Sequence, residues 1–303
     1  MERKRNIDTF GVVALIAFSL TLGFNQVVIK VGNDGFQPVF GAGLRSFGAV
    51  ICLLAWMWLR GIPVRIRPGT ARYGLLLGAF FSVEFLLLFT ALDLTTVSRT
   101  SIIFYTMPVW TTLAAHFLLD GERLSRMKAV GLAMAFIGVV VAIGARGGGG
   151  QESLAGDLCA LGAALCWTGI ALTARAPAME GVGASMALLW QIAISAMVLI
   201  PVSFLFGPPI RDLAPIHVWA MAFQIVIVAF MGFLIWFWLL GRYPAGQVAA
   251  FGFLSPVIGA FLGWALLGEQ VGPSLVLAAA LVAGGLLLIN RPPGGFRFRR
   301  RSA

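Results

Sequence analysis

Ten stretches of roughly twenty apolar residues follow one another along this chain, and nothing else in the sequence constrains its fold as strongly. They cover roughly 10–31, 38–59, 73–93, 95–118, 127–145, 155–176, 184–206, 217–241, 245–267 and 273–290. Each is long enough to cross the hydrocarbon core of a bilayer as a helix. In lipid a segment must satisfy its own backbone hydrogen bonds, which a helix does and a lone strand does not. Charged residues make up only 11% of the chain, against about 25% in soluble domains. The expectation is an all-α polytopic membrane protein with ten transmembrane helices. The first stretch is too long for the apolar part of a signal peptide, and nine more follow it.

The net charge of +10 invites a nucleic-acid reading, but its distribution argues for topology. With the N-terminus placed inside, one side collects Arg3, Lys4, Arg5, Arg60, Arg65, Arg67, Arg72, Arg123, Arg126, Lys128, Arg175, Arg242, Arg291, Arg297, Arg299, Arg300 and Arg301. The other side receives Lys30, Arg99, Arg146 and Arg211, and Arg45 falls within the second stretch. Basic residues concentrate on the cytoplasmic side of membrane proteins. Both termini are therefore expected in the cytoplasm of a multi-pass protein of the inner (plasma) membrane. No nucleic-acid partner is expected. The basic tail can touch anionic lipid.

The sequence also repeats itself about 147 residues on. Pro108-Val109 precedes Leu118-Leu119-Asp120-Gly121-Glu122, and Pro256-Val257 precedes Leu266-Leu267-Gly268-Glu269 at the same Pro-to-Leu-Leu distance. Lys30 and Arg175 close the first stretch of each copy, and Gly147–Gly150 reads as the linker. The expected units are 1–148 and 149–303, with five spans each. Five is odd, so the second unit lies upside down relative to the first. Inverted repeats are a mark of secondary transporters, because two such halves can exchange conformations around a midplane site.

With ten spans, a five-plus-five repeat and Gly-Glu after spans 4 and 9, the chain resembles the drug/metabolite transporter superfamily, in particular its EamA-type exporters. The resemblance covers roughly residues 10–290. It implies a central cavity between spans 1–4 and 6–9, with spans 5 and 10 peripheral. It also implies export of amino acids or other metabolites. Aromatic amino-acid exporters are the match suggested by a chain with 24 Phe and 9 Trp. Many members carry Trp-Gly in the first span, where this chain has Leu22-Gly23, and Trp167 is followed here by Thr168.

An ionisable residue at membrane depth is costly and marks a site or a pair by default. Arg45 lies about 10 Å inside span 2 and Glu84 about 13 Å inside span 3, both from the outer end. Two readings stand. They form an ion pair that locks spans 2 and 3, or they face the cavity, Arg45 towards a substrate carboxylate and Glu84 towards an ammonium group or a proton. Arg45 shares a face with Gly41, Gly48 and Cys52, a groove of small residues suited to packing or to substrate. Asn25, with Gln26 beside it, can bond substrate or join helices. Arg99 reads as a vestibule charge or a snorkelling side chain. Gln247, which opens span 9 as Arg99 opens span 4, is a further binding candidate. Tyr105, Trp110, Trp167, Trp190 and Phe251 lie mid-span on the helices that the resemblance assigns to the cavity, where rings can stack on a substrate. Trp236-Phe237-Trp238 reads as an interfacial belt. Pro108 and Pro256 interrupt helical hydrogen bonding at matching points and are the expected gating hinges.

The three cysteines sit in apolar runs without ligand spacing, and the chain has two histidines, His116 and His217. No metal or other cofactor is expected. No Gly-x-x-x-x-Gly-Lys-Ser/Thr segment occurs, so ATP is not the direct drive. The leading expectation is a secondary transporter, not an enzyme, that exports small amphipathic metabolites, chiefly hydrophobic or aromatic amino acids, by alternating access. A multidrug or organic-cation exporter is the rival in the same class. A polytopic membrane enzyme and a channel are remoter. The expected partners are a small-molecule substrate and the lipid bilayer, with a monomer favoured.

Overall fold

The computed structural model describes residues 7–118, 124–145, 153–243 and 251–290. These residues are almost wholly helical. Helix α1 spans Thr9–Gly35, α2 Pro38–Leu59 and α3 Ala71–Leu94. The fourth pass is split into α4, Val97–Phe104, and α5, Met107–Leu118. Then come α6, Arg126–Gly144, α7, Leu154–Ala174, and α8, Ala184–Ser203. The next pass runs through α9, Pro215–Phe223, a wide-wound i→i+5 segment, Gln224–Gly232, and α10, Phe233–Arg242. Two shorter apolar helices follow, α11, Leu254–Leu267, and α12, Pro273–Ile289. Among the described residues, eight helical passes are long and apolar enough to cross a membrane.

Local sequence sets the starts. Asp8, Gln37, Thr96, Ser125 and Ser153 each accept a hydrogen bond from a backbone N–H in the first turn of the helix that follows. Such caps supply partners for N–H groups that a helix cannot satisfy internally. Proline opens α2, α9 and α12, where its missing N–H costs nothing.

Helix α3 packs on α7 and α8, α2 on α8, α1 on α9 and α11, and α4 on α7 and α11. Helices α6 and α12 pack chiefly on each other. Their contact is close because it is made of glycine: a Cβ on Gly131 would stand 2.8 Å from the Gly285 carbonyl oxygen, and one on Gly285 2.5 Å from the Gly131 carbonyl oxygen. Backbone cannot yield there as a flexible side chain would. Gly285→Val is therefore expected to cost about 1–3 kcal/mol as overpacking, read as a fall of the thermal midpoint in detergent. Neither helix lines the cavity described next, so transport per folded molecule should stay within about twofold of the parent.

Candidate functional site

Between these helices lies a cavity of ≈ 970 Å³, its open mouth included. It is walled by α1, α2, α3, the α4–α5 break, α7, the wide-wound segment with α10, and the start of α11. Two irregularities shape it. The fourth pass breaks at Tyr105-Thr106, directly before Met107-Pro108. Pro108 donates no N–H to the carbonyl four residues back, that of Phe104, and its ring crowds it; Phe104 and Tyr105, beside the break, line the cavity. In the ninth and tenth helices the wide winding at Gln224–Gly232 brings Val228, Gly232, Phe233 and Trp236 to the wall. Such windings frequently accompany functional sites.

The charged part of the wall is Arg45 and Glu84, 1% and 0% exposed. They do not form an ion pair. Neither carboxylate oxygen of Glu84 has a hydrogen-bond partner, nor do Nε and Nη2 of Arg45. The Arg45 guanidinium carbon instead lies 3.7 Å from the centre of the Phe85 ring and 5.6 Å from that of Phe89. Asn25 and Gln26 are also buried in the wall, and Asn25 Oδ1 and Gln26 Oε1 have no partner. Buried polar atoms are almost always hydrogen-bonded. Six that are not, on Asn25, Gln26, Arg45 and Glu84, lie on this one wall. Towards the N-terminal end of α1 the wall turns aromatic: Phe18 stacks on Trp236 with centroids 5.2 Å apart, and Trp167 and Phe251 join them.

Of the residues the sequence singles out, Asn25, Arg45, Glu84, Tyr105, Trp167, Phe251 and Pro108 share this cavity. Trp110 and Trp190 do not line it. The Trp110 indole N–H donates to Thr106 Oγ1 at 3.0 Å and its ring meets Phe136 of α6 edge-on. Trp190 lies over Gly74 of α3, where an added Cβ would collide with the indole. Gln247 lies outside the described residues. Pro256 is away from the cavity wall, buried in the first turn of α11 after a tight turn at Phe251–Phe253. The fourth pass is thus interrupted mid-span directly before Pro108, as the sequence leads one to expect, while Pro256 lies in the first turn of α11. The groove beside Arg45 is filled by protein, since Gly48 faces Ile225 and Gly41 faces Met221 and Phe89. Trp236 belongs to the cavity wall, which corrects its assignment to an interfacial belt. Among the described residues no cluster of His, Cys, Asp or Glu could hold a metal ion.

At one end of the bundle, early and late parts of the chain are tied together by side-chain bonds. Arg99 is neither a vestibule charge nor a snorkelling one. It is buried against Asp157, with Nε to Oδ1 at 3.0 Å and Nη2 to Oδ2 at 2.5 Å, and it also donates to the Ala145 carbonyl. Glu269 accepts from the N–H groups of Val97 and Ser98 at 2.6 and 2.9 Å, at the start of α4. Anions are favoured at that position by the unsatisfied N–H groups there. Arg211 meets Asp93 through two bonds of 2.7 and 3.0 Å and the Asn33 carbonyl at 3.0 Å. The bond to Asp93 holds the Arg211 guanidinium above its usual pKa. Phe36 and Ile210 form an antiparallel bridge beside it. Asp157 is not among the residues that the sequence singles out, although its place in the first turn of α7 is readable there.

Comparison with known proteins gives a consistent picture. The profile of the EamA-like transporter family matches twice, over residues 9–144 and 154–291. An uncharacterised transporter of Bacillus subtilis, YoaV, is 26% identical over 95% of this chain and 98% of its own. A probable amino-acid metabolite efflux pump of Salmonella typhimurium is 29% identical over 96% of both chains, and one of Escherichia coli is 27% identical over 92% and 93%. A crystal structure 21% identical in sequence superposes with a TM-score of 0.67, over 94% of this chain and 98% of that one, and so shares the fold.

Proposed function

From the premise that the chain belongs to the EamA-like transporter family, we propose that this membrane transporter exports small amphipathic metabolites, hydrophobic and aromatic amino acids foremost, by alternating access. The observation that carries this reading is the cavity itself. One part holds a buried cation and a buried carboxylate that do not pair, and the other is a set of aromatic rings. An amino acid has a carboxylate and an ammonium for the first and an apolar side chain for the second. The names of the two efflux pumps support the same class. Arg45 on the wall speaks against an organic-cation exporter, since a free cation would meet a like charge there.

The reading includes ten spans arranged as two inverted units, 1–148 and 149–303. The helix contacts support it. If α1, α2, α3, α4–α5 and α6 are exchanged with α7, α8, α9–α10, α11 and α12, every principal packing pair maps onto another or onto itself: α3–α7 onto α1–α9, α3–α8 onto α2 and the wide-wound segment, α4–α7 onto α1–α11. With basic loops inside, the tied end is the outer one and the aromatic end faces the cytoplasm. That is the state that loads a substrate for export. A monomer holds the whole cavity.

Transport in proteoliposomes tests this. Vesicles are preloaded with labelled phenylalanine, leucine or a quaternary amine, and release is followed with and without a pH gradient. Saturable release of the amino acids is the expected result. Movement of the quaternary amine alone would overturn the substrate class, and its dependence on Glu84 would mark a cation exporter. Within the working assay, Trp167→Ala is expected to raise the half-saturating concentration of phenylalanine about tenfold, a stacking contact of 0.5–1.5 kcal/mol with its buried area. Trp110→Phe should leave it within about twofold, since its indole stays on the α6 side.

A further inference from the structure

The unpaired state of Arg45 and Glu84 needs a cause, because opposite charges buried near one another attract more strongly than in water. The geometry supplies it in Phe85. Glu84 and Phe85 are successive residues of α3, so their side chains leave the helix about 100° apart. The Arg45 guanidinium reaches across from α2 and settles on the ring at 3.7 Å, in place of the carboxylate beside it. Phe85 is itself fixed, 6% exposed and wedged between Phe81, with centroids 4.5 Å apart, and Phe89, at 6.2 Å. A ring face attracts a cation through its quadrupole. It accepts no N–H bond from the edge of the guanidinium plane and carries no charge to cancel. Nε and Nη2 accordingly remain without acceptors, and both Glu84 oxygens without donors.

We propose that Phe85 is a positioning residue: its ring holds Arg45 off Glu84, so that both charges stay available to a substrate. The inference rests on the proposed function, in which a zwitterion meets the two charges. Without the ring, Arg45 falls onto Glu84, the pair neutralises itself, and the polar part of the cavity loses its grip on a substrate headgroup. The ring is not a contact for the headgroup in this account. It acts through Arg45.

The test uses the full-length protein in proteoliposomes with phenylalanine as the zwitterion and 3-phenylpropionate as the probe that carries only a carboxylate. Phenylalanine release by the parent comes first. Its absence would overturn the functional premise and, with it, the proposal, whereas parent activity isolates the question of Phe85. Given parent activity, Phe85→Leu is expected to raise the half-saturating concentration of phenylalanine about tenfold or more, and Phe85→Tyr should restore it to within about threefold. The decisive chain is Phe85→Leu combined with Glu84→Gln. With no carboxylate left to fall upon, Arg45 should again meet 3-phenylpropionate, as well as it does in Glu84→Gln alone. A merely structural role for Phe85 would not be rescued by changing its neighbour. Unchanged affinity in Phe85→Leu, or a double variant no better than Phe85→Leu alone, would overturn the proposal.

Discussion

Arg45→Gln is expected to lower the rate of phenylalanine release at limiting substrate about a hundredfold and, in the same protein, to raise thermal stability. The first effect follows from the substrate. A carboxylate bonded to a buried arginine loses its counter-charge and faces Glu84 alone. Truncating one side of such a buried pair costs about 2–5 kcal/mol, and 2.7 of those make a hundredfold. The second effect follows from the empty cavity. Arg45 is 1% exposed, and two of its nitrogens have no acceptor. Contact with the Phe85 face returns only part of the hydration that burial removes. Replacing the cation by a neutral amide relieves that penalty, as often happens when a functional group is removed from a strained site. Uptake of phenethylamine adds a third sign. With the like charge gone, this amine should bind better to Arg45→Gln than to the parent. Release at limiting phenylalanine, a melting curve in detergent and amine competition check the three together. A uniform fall in all of them would mean that Arg45 is part of the scaffold.

How much of this was visible in the sequence depends on the physics of each residue. Lipid forces long apolar runs, and the runs mark the helices at once. The cost of burying charge singles out Arg45 and Glu84, and the cavity wall contains both. What periodicity did not reveal is which neighbour each would choose. The ion pair was a fair expectation for two opposite charges at like depth, but the ring one position along α3 intercepts the guanidinium. Trp110 was grouped with Tyr105 because both lie mid-span. The helix breaks between them, and their faces part: Tyr105 looks inward while Trp110 looks towards α6. Trp236 was hidden for a similar reason. A regular helix places it by counting from the membrane edge, whereas the wide-wound turns before it change the phase. Arg99 and Asp157 do carry a signal in the sequence, two opposite charges each within the first turn of a span. That both starts lie at the same end of the bundle follows once the passes are counted.

This last pair carries the largest expected conformational effect. The two ion pairs at the tied end differ greatly in burial. Arg211 and Asp93 are 41% and 25% exposed, whereas Arg99 and Asp157 are 2% and 0% exposed. Exposed pairs are worth about 0–1 kcal/mol. Removing one partner of a buried pair costs about 3–5 kcal/mol, because the other charge is stranded in a dry setting. If the cavity opens alternately to the two sides, the cost of Asp157→Asn falls on the state in which Arg99 is sealed in, and spares the state in which water reaches it. The equilibrium should move towards opening at this end by about a hundredfold, and Asp93→Asn should move it less than about fivefold. Asn25→Cys, in a chain whose three native cysteines are replaced by serine, gives the readout: its labelling by a membrane-impermeant maleimide added from the Arg211 end. Labelling should rise at least tenfold with Asp157→Asn and little with Asp93→Asn. Exchanging the charges, Arg99→Asp with Asp157→Arg, should bring it back down, which a variant that simply unfolds would not do. Labelling that stays at the parent level in a folded Asp157→Asn protein would reduce Arg99 and Asp157 to a static brace. The route to the other side of the membrane would then have to open elsewhere.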